Sequence, residues 1–262
     1  MRTIFWDVDT QKDFMDIDGA LYVPDAESIK PNLKRLTDYA RQNSIQVVGS
    51  VDRHIGTEDY KEFEGELQRN GGPFPDHCMH WTKGLEKIPE TIQYPFFTRP
   101  DFGNEFGFLD SLFIFNTSLS YGKDNSVDDA RNETYQRWVK EDEIKYLTDA
   151  LHIVQNGTKR GIYFEKQSYD VFSNPNVEPF LRKAEISSAF VYGVATDFCV
   201  KAAVLGMQRL GIQTYVVTDA IRGVFPESTQ KALEEMTQAG ARFVTTDDVL
   251  ENKIQEVIKC QR

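Results

Sequence analysis

Val191-Tyr192-Gly193-Val194-Ala195-Thr196-Asp197-Phe198-Cys199-Val200 reads as an apolar strand, a glycine-containing turn, and a cysteine at the start of a helix. A helix N-terminus offers unpaired backbone N–H groups and a positive partial charge, and both favour a thiolate. The thiolate, not the thiol, is the nucleophile. The stretch therefore reads as a strand-turn-helix nucleophile elbow with cysteine in place of serine. Taken alone, a cysteine on an apolar segment is more often a small buried hydrophobe. The rest of the chain has to decide between the two.

Outward from this turn, strand and helix alternate. Thr3 to Asp9 is too continuously apolar to be half exposed and reads as a buried strand, as does Ile45 to Val51. Further strands are expected at Ile162–Glu165, Ala189–Tyr192, Thr214–Val217 and Arg242–Thr245. Between them lie an amphipathic helix over Glu27–Asn43, with Leu33, Leu36, Tyr39 and Ala40 at helical spacing, and helices over Asp197–Leu210 and Pro226–Ala239. The last two stop at Gly211 and Gly240, good C-terminal capping residues, and another helix starts at about Asp247. This alternation predicts an α/β fold: a parallel six-stranded sheet with helices on both faces, in three αβα layers.

One domain spanning 1–262 is expected, with an insertion at about 96–159 that interrupts the alternation. The insertion opens with an aromatic run (Phe97, Phe102, Phe106, Phe108, Phe113, Phe115) and turns charged and helical from Val127 to Ala150. Within it, Lys140-Glu141-Asp142-Glu143 reads as a solvated helix face.

A length of 262 residues suits one large α/β domain with such an insertion. The net charge of −11 argues against nucleic acid and against anionic membrane as partners. Three cysteines imply no disulfide framework. No basic region followed by a long apolar run opens the chain, so the default compartment is a reducing cytoplasm.

Ligands of open α/β sheets bind at the carboxyl ends of the strands. There the first strand ends in Asp7-Val8-Asp9-Thr10-Gln11-Lys12-Asp13-Phe14, the second in Val51-Asp52-Arg53-His54, and the fourth at the Cys199 turn. Asp52 and His54 are two apart in extended chain, so both can reach one ion. His77 lies in the proline-bearing loop Gly72-Pro73-Phe74-Pro75-Asp76-His77-Cys78, and an aspartate with two histidines is a usual metal-ligand set that leaves positions for water and substrate. The chain has only four histidines, and two of them sit in this arrangement. Asp9 beside Cys199 would act as general base, with Lys166, just after the third strand, holding both in charged form. The Val194-Ala195-Thr196 turn and the Cys199 N–H would supply oxyanion donors.

Val8-Asp9-Thr10-Gln11-Lys12-Asp13-Phe14 resembles the opening motif of the isochorismatase-like cysteine hydrolases, and Gly193-Val194-Ala195-Thr196-Asp197-Phe198-Cys199-Val200 resembles their nucleophile motif. Asp52-x-His54 and the Phe74-Pro75-x-His77-Cys78 loop are similar to the metal segments of the nicotinamidase branch. The resemblance covers most of the chain except the insertion. It implies a triad of Asp9, Lys166 and Cys199, and a metal held by Asp52, His54 and His77. It also implies a cis peptide between Val194 and Ala195 that turns the Ala195 N–H into an oxyanion hole with that of Cys199, aromatic walls at Phe14 and Phe74, and a homo-oligomer. The metal expected is a divalent ion, zinc first, with iron or manganese as alternatives. Where some nicotinamidases carry a further metal ligand, direct spacing puts Tyr60; Glu58, Asp59, Glu64 or Glu66 could substitute.

The activity implied is hydrolysis of a small amide such as nicotinamide through a cysteine thioester. The alternative is another hydrolase of the same superfamily, acting on an N-carbamoyl or ureide compound without needing the metal. A third possibility is a non-catalytic protein on this fold.

Overall fold

The computed structural model describes residues 2–92, 111–114, 150–151, 153–154 and 161–251. Nearly all of the expected insertion therefore lies outside the described residues, including its charged run Lys140–Glu143 and most of its expected helix. Cys260 lies outside them too.

The described elements are β1 (Arg2–Val8), α1 (Lys12–Met15), α2 (Lys30–Gln42), β2 (Val47–Asp52), β3 (Ser111–Ile114), β4 (Gly161–Lys166), α3 (Val177–Lys183), β5 (Ile186–Val194), α4 (Lys201–Arg209), β6 (Gln213–Arg222), α5 (Pro226–Gln238), β7 (Arg242–Val244) and α6 (Thr246–Leu250). The strands form one sheet in the order β3-β4-β2-β1-β5-β6-β7, every pair parallel. All six expected strands are in it. The seventh, β3, comes from the aromatic stretch of the insertion and pairs with β4 along its outer edge. The sequence hides it because Ser111–Ile114 is only four residues long and sits among similar aromatic residues. Its neighbour β4 is buried at all six positions and is paired along both edges, by β2 and β3.

Both faces of the sheet are covered, which is why the central strands are apolar at successive positions. From β1, Ile4, Trp6 and Val8 join one core with Val177 and Phe180 of α3 and Ala203, Val204 and Met207 of α4. Phe5 joins the opposite core with Leu33, Leu36 and Ala40 of α2 and Val249 of α6. None of the described helices is long and apolar enough to cross a membrane.

Two helix boundaries differ from the expected ones. The Glu27–Asn43 helix is split into a 3-10 turn, Ala26–Ile29, and α2, whose first turn carries Pro31. Proline is favoured there because its missing N–H would go unbonded anyway. The Asp197–Leu210 helix opens instead with a π-helical turn, Thr196–Val200, and only then becomes α4. Asp197 braces that turn by accepting from the Val224 N–H at 2.9 Å, the Phe225 N–H at 3.2 Å and the Ser228 hydroxyl at 2.5 Å.

Candidate active site

Four neighbouring strands, β4, β2, β1 and β5, end on the same rim, and each delivers a polar side chain to one buried cluster. Register does this directly. Val8 is level with Ser50 on one side and Gly193 on the other, and Asp52 is level with Lys166. Asp9, one residue past β1, has a positive φ of 46°. The Ser50 hydroxyl donates to Asp9 Oδ1 at 2.8 Å and fixes the carboxylate. At Gly193 a Cβ would stand 2.0 Å from the Val8 carbonyl oxygen, so only glycine allows β1 to run this close to the nucleophile turn. The Val194–Ala195 peptide is cis.

Lys166 sits at the centre, fully buried. Its Nζ lies 2.9 Å from Asp9 Oδ2, contacts Asp52 Oδ1, and donates to Cys199 Sγ at 3.6 Å. Asp9, Asp52 and Cys199 bring one ligand-type atom each to within 4.8 Å of one another. The cluster holds its charges in a dry place, and the ionisation shows it. Burial would lower the Lys166 ammonium, but Asp52 and Asp9 hold it well above the usual lysine range. Burial would raise Asp52, but Lys166 and His77 hold it below the usual carboxylate range. Asp9 is raised, by burial above all, against the pull of Lys166. Burial also pushes the Cys199 thiol well above its ordinary value; Lys166 opposes this and Asp9 adds to it. This revises the sequence expectation: the helix start does not leave a standing thiolate, because desolvation of the sulfur outweighs it.

On the other side of Asp52 lie the two histidines. His77 Nε2 is 3.8 Å from Asp52 Oδ2, and the His54 and His77 rings are 4.7 Å apart. His77 Nδ1 faces the Pro75 carbonyl at 2.7 Å, which leaves Nε2 for the cluster. His54 is fully buried, and neither ring nitrogen has a hydrogen-bond partner among the described residues. A buried imidazole with two orphan nitrogens is costly unless something binds it. Asp52, His54 and His77 have one ligand atom each within 4.8 Å of the others, all from buried residues, and this donor set fits a divalent cation.

Around the further-ligand position, Tyr60 is buried and Glu58 pairs with Lys61 at 3.1 Å. The Asp59 side chain lies outside the described ones. Glu66 accepts the Tyr169 N–H at 2.8 Å. Glu64 comes nearest to the histidines, with Oε1 3.9 Å from His54 Nδ1. Its two oxygens take the backbone N–H groups of Ile55 and Gly56, and it stands outside the trio of Asp52, His54 and His77.

Burial pushes the His54 imidazole down to about 4, so it is neutral and able to ligate near neutral pH. Burial would lower His77, but Asp52 and the Pro75 carbonyl together raise it. The two have opposite linkage. A depressed folded-state value means that the unfolded chain binds more protons below about 6.5, so stability falls as the pH drops through this window. The raised His77 contributes stability that is complete below about 6.5, so it does not cancel that slope. Metal-free protein is expected to lose stability as the pH falls from about 6.5 to about 5. The midpoint of thermal unfolding against pH checks this; His54→Asn should make the curve shallower in that window, with the remaining slope from His80, which burial and Arg53 push down to about 2.

Phe14 and Phe74 flank His77, with ring centroids 5.5 Å and 6.2 Å away. Two further rings, to which the sequence reading assigned no role, continue the wall. Phe198, just before the nucleophile, meets Phe74 edge-on at 5.8 Å, and Tyr169 meets Phe198 at 6.5 Å. Gln11 and Asp13 of the opening motif also have tasks. Gln11 Nε2 donates to the Asp52 carbonyl and Gln11 Oε1 accepts the Asp52 N–H, both at 2.7 Å. Asp13 Oδ2 accepts the Cys78 N–H at 2.6 Å and so holds the His77 loop. Cys78 is buried, with Sγ 3.9 Å from the Gly84 carbonyl. His80 turns toward Arg53, whose Nε donates to its Nδ1 at 3.2 Å, and packs at a tilt against Trp81, with ring centroids 4.1 Å apart.

The isochorismatase domain family matches residues 113–248, just over half of the chain. The chain belongs to the isochorismatase family. Within the family its curated relatives include the nicotinamidase of Escherichia coli, 27% identical over 254 residues, with 92% of this chain and 93% of that protein covered. The nicotinamidase/pyrazinamidase of Mycobacterium tuberculosis is 33% identical over 98 residues, 37% of this chain and 52% of that protein. Among solved structures, the pyrazinamidase of Pyrococcus horikoshii in complex with zinc has the same fold, with a TM-score of 0.60 at 22% identity, covering 94% of this chain and 99% of that one.

Proposed function

We propose that this isochorismatase-family chain hydrolyses a small, flat aromatic carboxamide, nicotinamide first, to the acid and ammonia through a Cys199 thioester. That it is a hydrolase of amide carbon–nitrogen bonds is the coarser reading, and its family and its nicotinamidase relatives agree on it. The observation that carries the finer one is Lys166: a single buried ammonium touching Asp9, Asp52 and Cys199, with Asp52 shared between this cluster and the two histidines.

In this reading the ring lies between Phe14 and Phe74, with the carboxamide over Cys199. Asp52, His54 and His77 would hold a divalent ion, which supplies a Lewis-acid contact for a ring nitrogen. Cys199 rests as a thiol, because burial disfavours its anion, and Asp9 is a stronger base than an ordinary carboxylate for the same reason. As substrate approaches, Asp9 accepts the Sγ proton and the sulfur forms a bond to the amide carbon. The carbonyl π pair moves onto oxygen, and the N–H groups of Ala195 and Cys199 stabilise this oxyanion. The pair returns, the carbon–nitrogen bond breaks, and Asp9 gives its proton to the departing ammonia. Water then gives a proton to Asp9 and its hydroxide to the thioester carbon; the carbon–sulfur bond breaks, Asp9 returns the proton to Sγ, and the acid and the thiol are released. Lys166 stays charged throughout, offsetting the negative charge that moves between Asp9 and Sγ.

The test is ammonia release from nicotinamide alongside an N-carbamoyl amine, with metal-loaded protein. Release from nicotinamide and not from the ureide is expected. The reverse pattern, with activity unchanged in His54→Ala, would replace this reading by the ureide one.

A further inference from the structure

The aromatic wall that runs from His77 through Phe74 and Phe198 to Tyr169 is assembled from pieces far apart in the chain, and one carboxylate joins them. Phe74 belongs to a tight loop. Its N–H donates to the Glu66 carbonyl at 3.0 Å and its carbonyl accepts the Gln68 N–H at 2.7 Å, so Glu66 and Phe74 move as one piece. Gly72 packs bare against this loop; a Cβ there would stand 2.2 Å from the Gly65 carbonyl oxygen. Tyr169 belongs to the loop that leaves β4 just after Lys166, 103 residues from Glu66. Its ring is half exposed and packs on Phe198, which in turn packs on Phe74. The Glu66 side chain closes this circle, because its Oε1 accepts the Tyr169 N–H at 2.8 Å. A carboxylate accepting a backbone N–H is a stronger tie than two neutral groups would make.

We propose that Glu66 is a positioning residue that ties the Tyr169 loop to the Phe74 loop and so sets the width of the aromatic mouth above Cys199. The inference rests on the reading of Cys199 as the reacting thiol below that mouth. Glu66 touches neither the sulfur nor the base. Its removal should therefore alter which molecules reach Cys199 far more than how fast a bound amide reacts.

The experiment compares wild type, Glu66→Ala and Glu66→Gln by alkylation of Cys199 with iodoacetamide and with bulkier N-benzyliodoacetamide, read as modification of the Cys199 peptide. Both reagents carry the same reactive group, so their ratio reports access rather than thiol chemistry. Glu66→Ala should raise the bulky-to-small ratio at least about fivefold. Glu66→Gln, which keeps an oxygen acceptor for the Tyr169 N–H, should stay within about twofold. On nicotinamide, Glu66→Ala should raise KM about tenfold with kcat within about threefold. Tyr169→Ala keeps the backbone N–H that Glu66 accepts and removes only the ring that the tie positions: it should raise the ratio by itself, and Glu66→Ala on top of it should add little. An unchanged ratio in Glu66→Ala, a Gln variant as open as the Ala variant, or fully additive effects with Tyr169→Ala would overturn the proposal. The alkylation arm needs no substrate. A protein inactive on nicotinamide but showing the expected ratios would count against the substrate and leave the role of Glu66 standing.

Discussion

If the proposed mechanism holds, Cys199→Ala should abolish amide hydrolysis, with a fall of at least about 10⁴-fold in kcat, because Cys199 is the group that forms the covalent intermediate. The sulfur sits in the π-helical turn after the cis Val194–Ala195 peptide and receives the Lys166 Nζ–H at 3.6 Å. Alanine keeps the backbone of the turn and removes only the sulfur. Asp197 still holds Val224, Phe225 and Ser228, so the fold should survive, as an unchanged circular dichroism spectrum would show. The measurement is ammonia release with purified variant and wild type at equal metal content. A residual rate within tenfold of wild type would remove Cys199 from the mechanism. A stoichiometric acyl adduct on wild type, absent from the variant, would be the positive counterpart.

Lys166→Met should be the most destabilising single change at the site. Methionine has similar length and no charge, so it fills the space but leaves Asp9 and Asp52 buried beside each other without their cation. Breaking a buried ion pair from one side costs about 3–5 kcal/mol, because the remaining charge has nowhere to go. Urea denaturation of metal-free wild type and variant measures it, and a loss below about 1 kcal/mol would mean that the charges are compensated by other means. Lys166→Met combined with Asp9→Asn should recover part of the loss, since one orphan charge goes with the cation. Activity should fall with either change, for different reasons. In the proposed mechanism Lys166 offsets the charge passed between Asp9 and the sulfur, and Asp9 accepts the thiol proton.

Much of the fold was legible because a sheet covered on both faces writes itself as short continuous apolar runs. Thr3 to Asp9 and Ile45 to Val51 are such runs, and β1 and β2 overlap them closely, each running one residue past one end. Strand β3 was not legible, since Ser111–Ile114 owes its assignment to the edge of β4 rather than to its own pattern. The π turn was not legible either, because Thr196–Val200 has ordinary helix-compatible residues; what shapes it is the brace from Asp197 to a loop about thirty residues on. The site residues named from the sequence, Asp9, Asp52, His54, His77, Lys166 and Cys199, gather in one buried region. Those it left without a task act through partners distant in the chain. Gln11 reaches Asp52, Asp13 reaches Cys78 and Ser50 reaches Asp9, while Glu66, read from the sequence only as a possible metal ligand, reaches Tyr169.

By itself, the sequence determined the α/β alternation, the strand ends on which chemistry could sit, and the residue types available there. Those follow from local periodicity and short motifs, in which each residue is read against its near neighbours. Only the tertiary structure decided that Lys166, about 160 residues from Asp9 and 33 from Cys199, stands between them. It also decided that His54 is buried with both nitrogens unbonded and that the thiol is held neutral rather than as a thiolate. Ionisation and ligation depend on burial and on charges brought close through space, and neither is a property of neighbours along the chain.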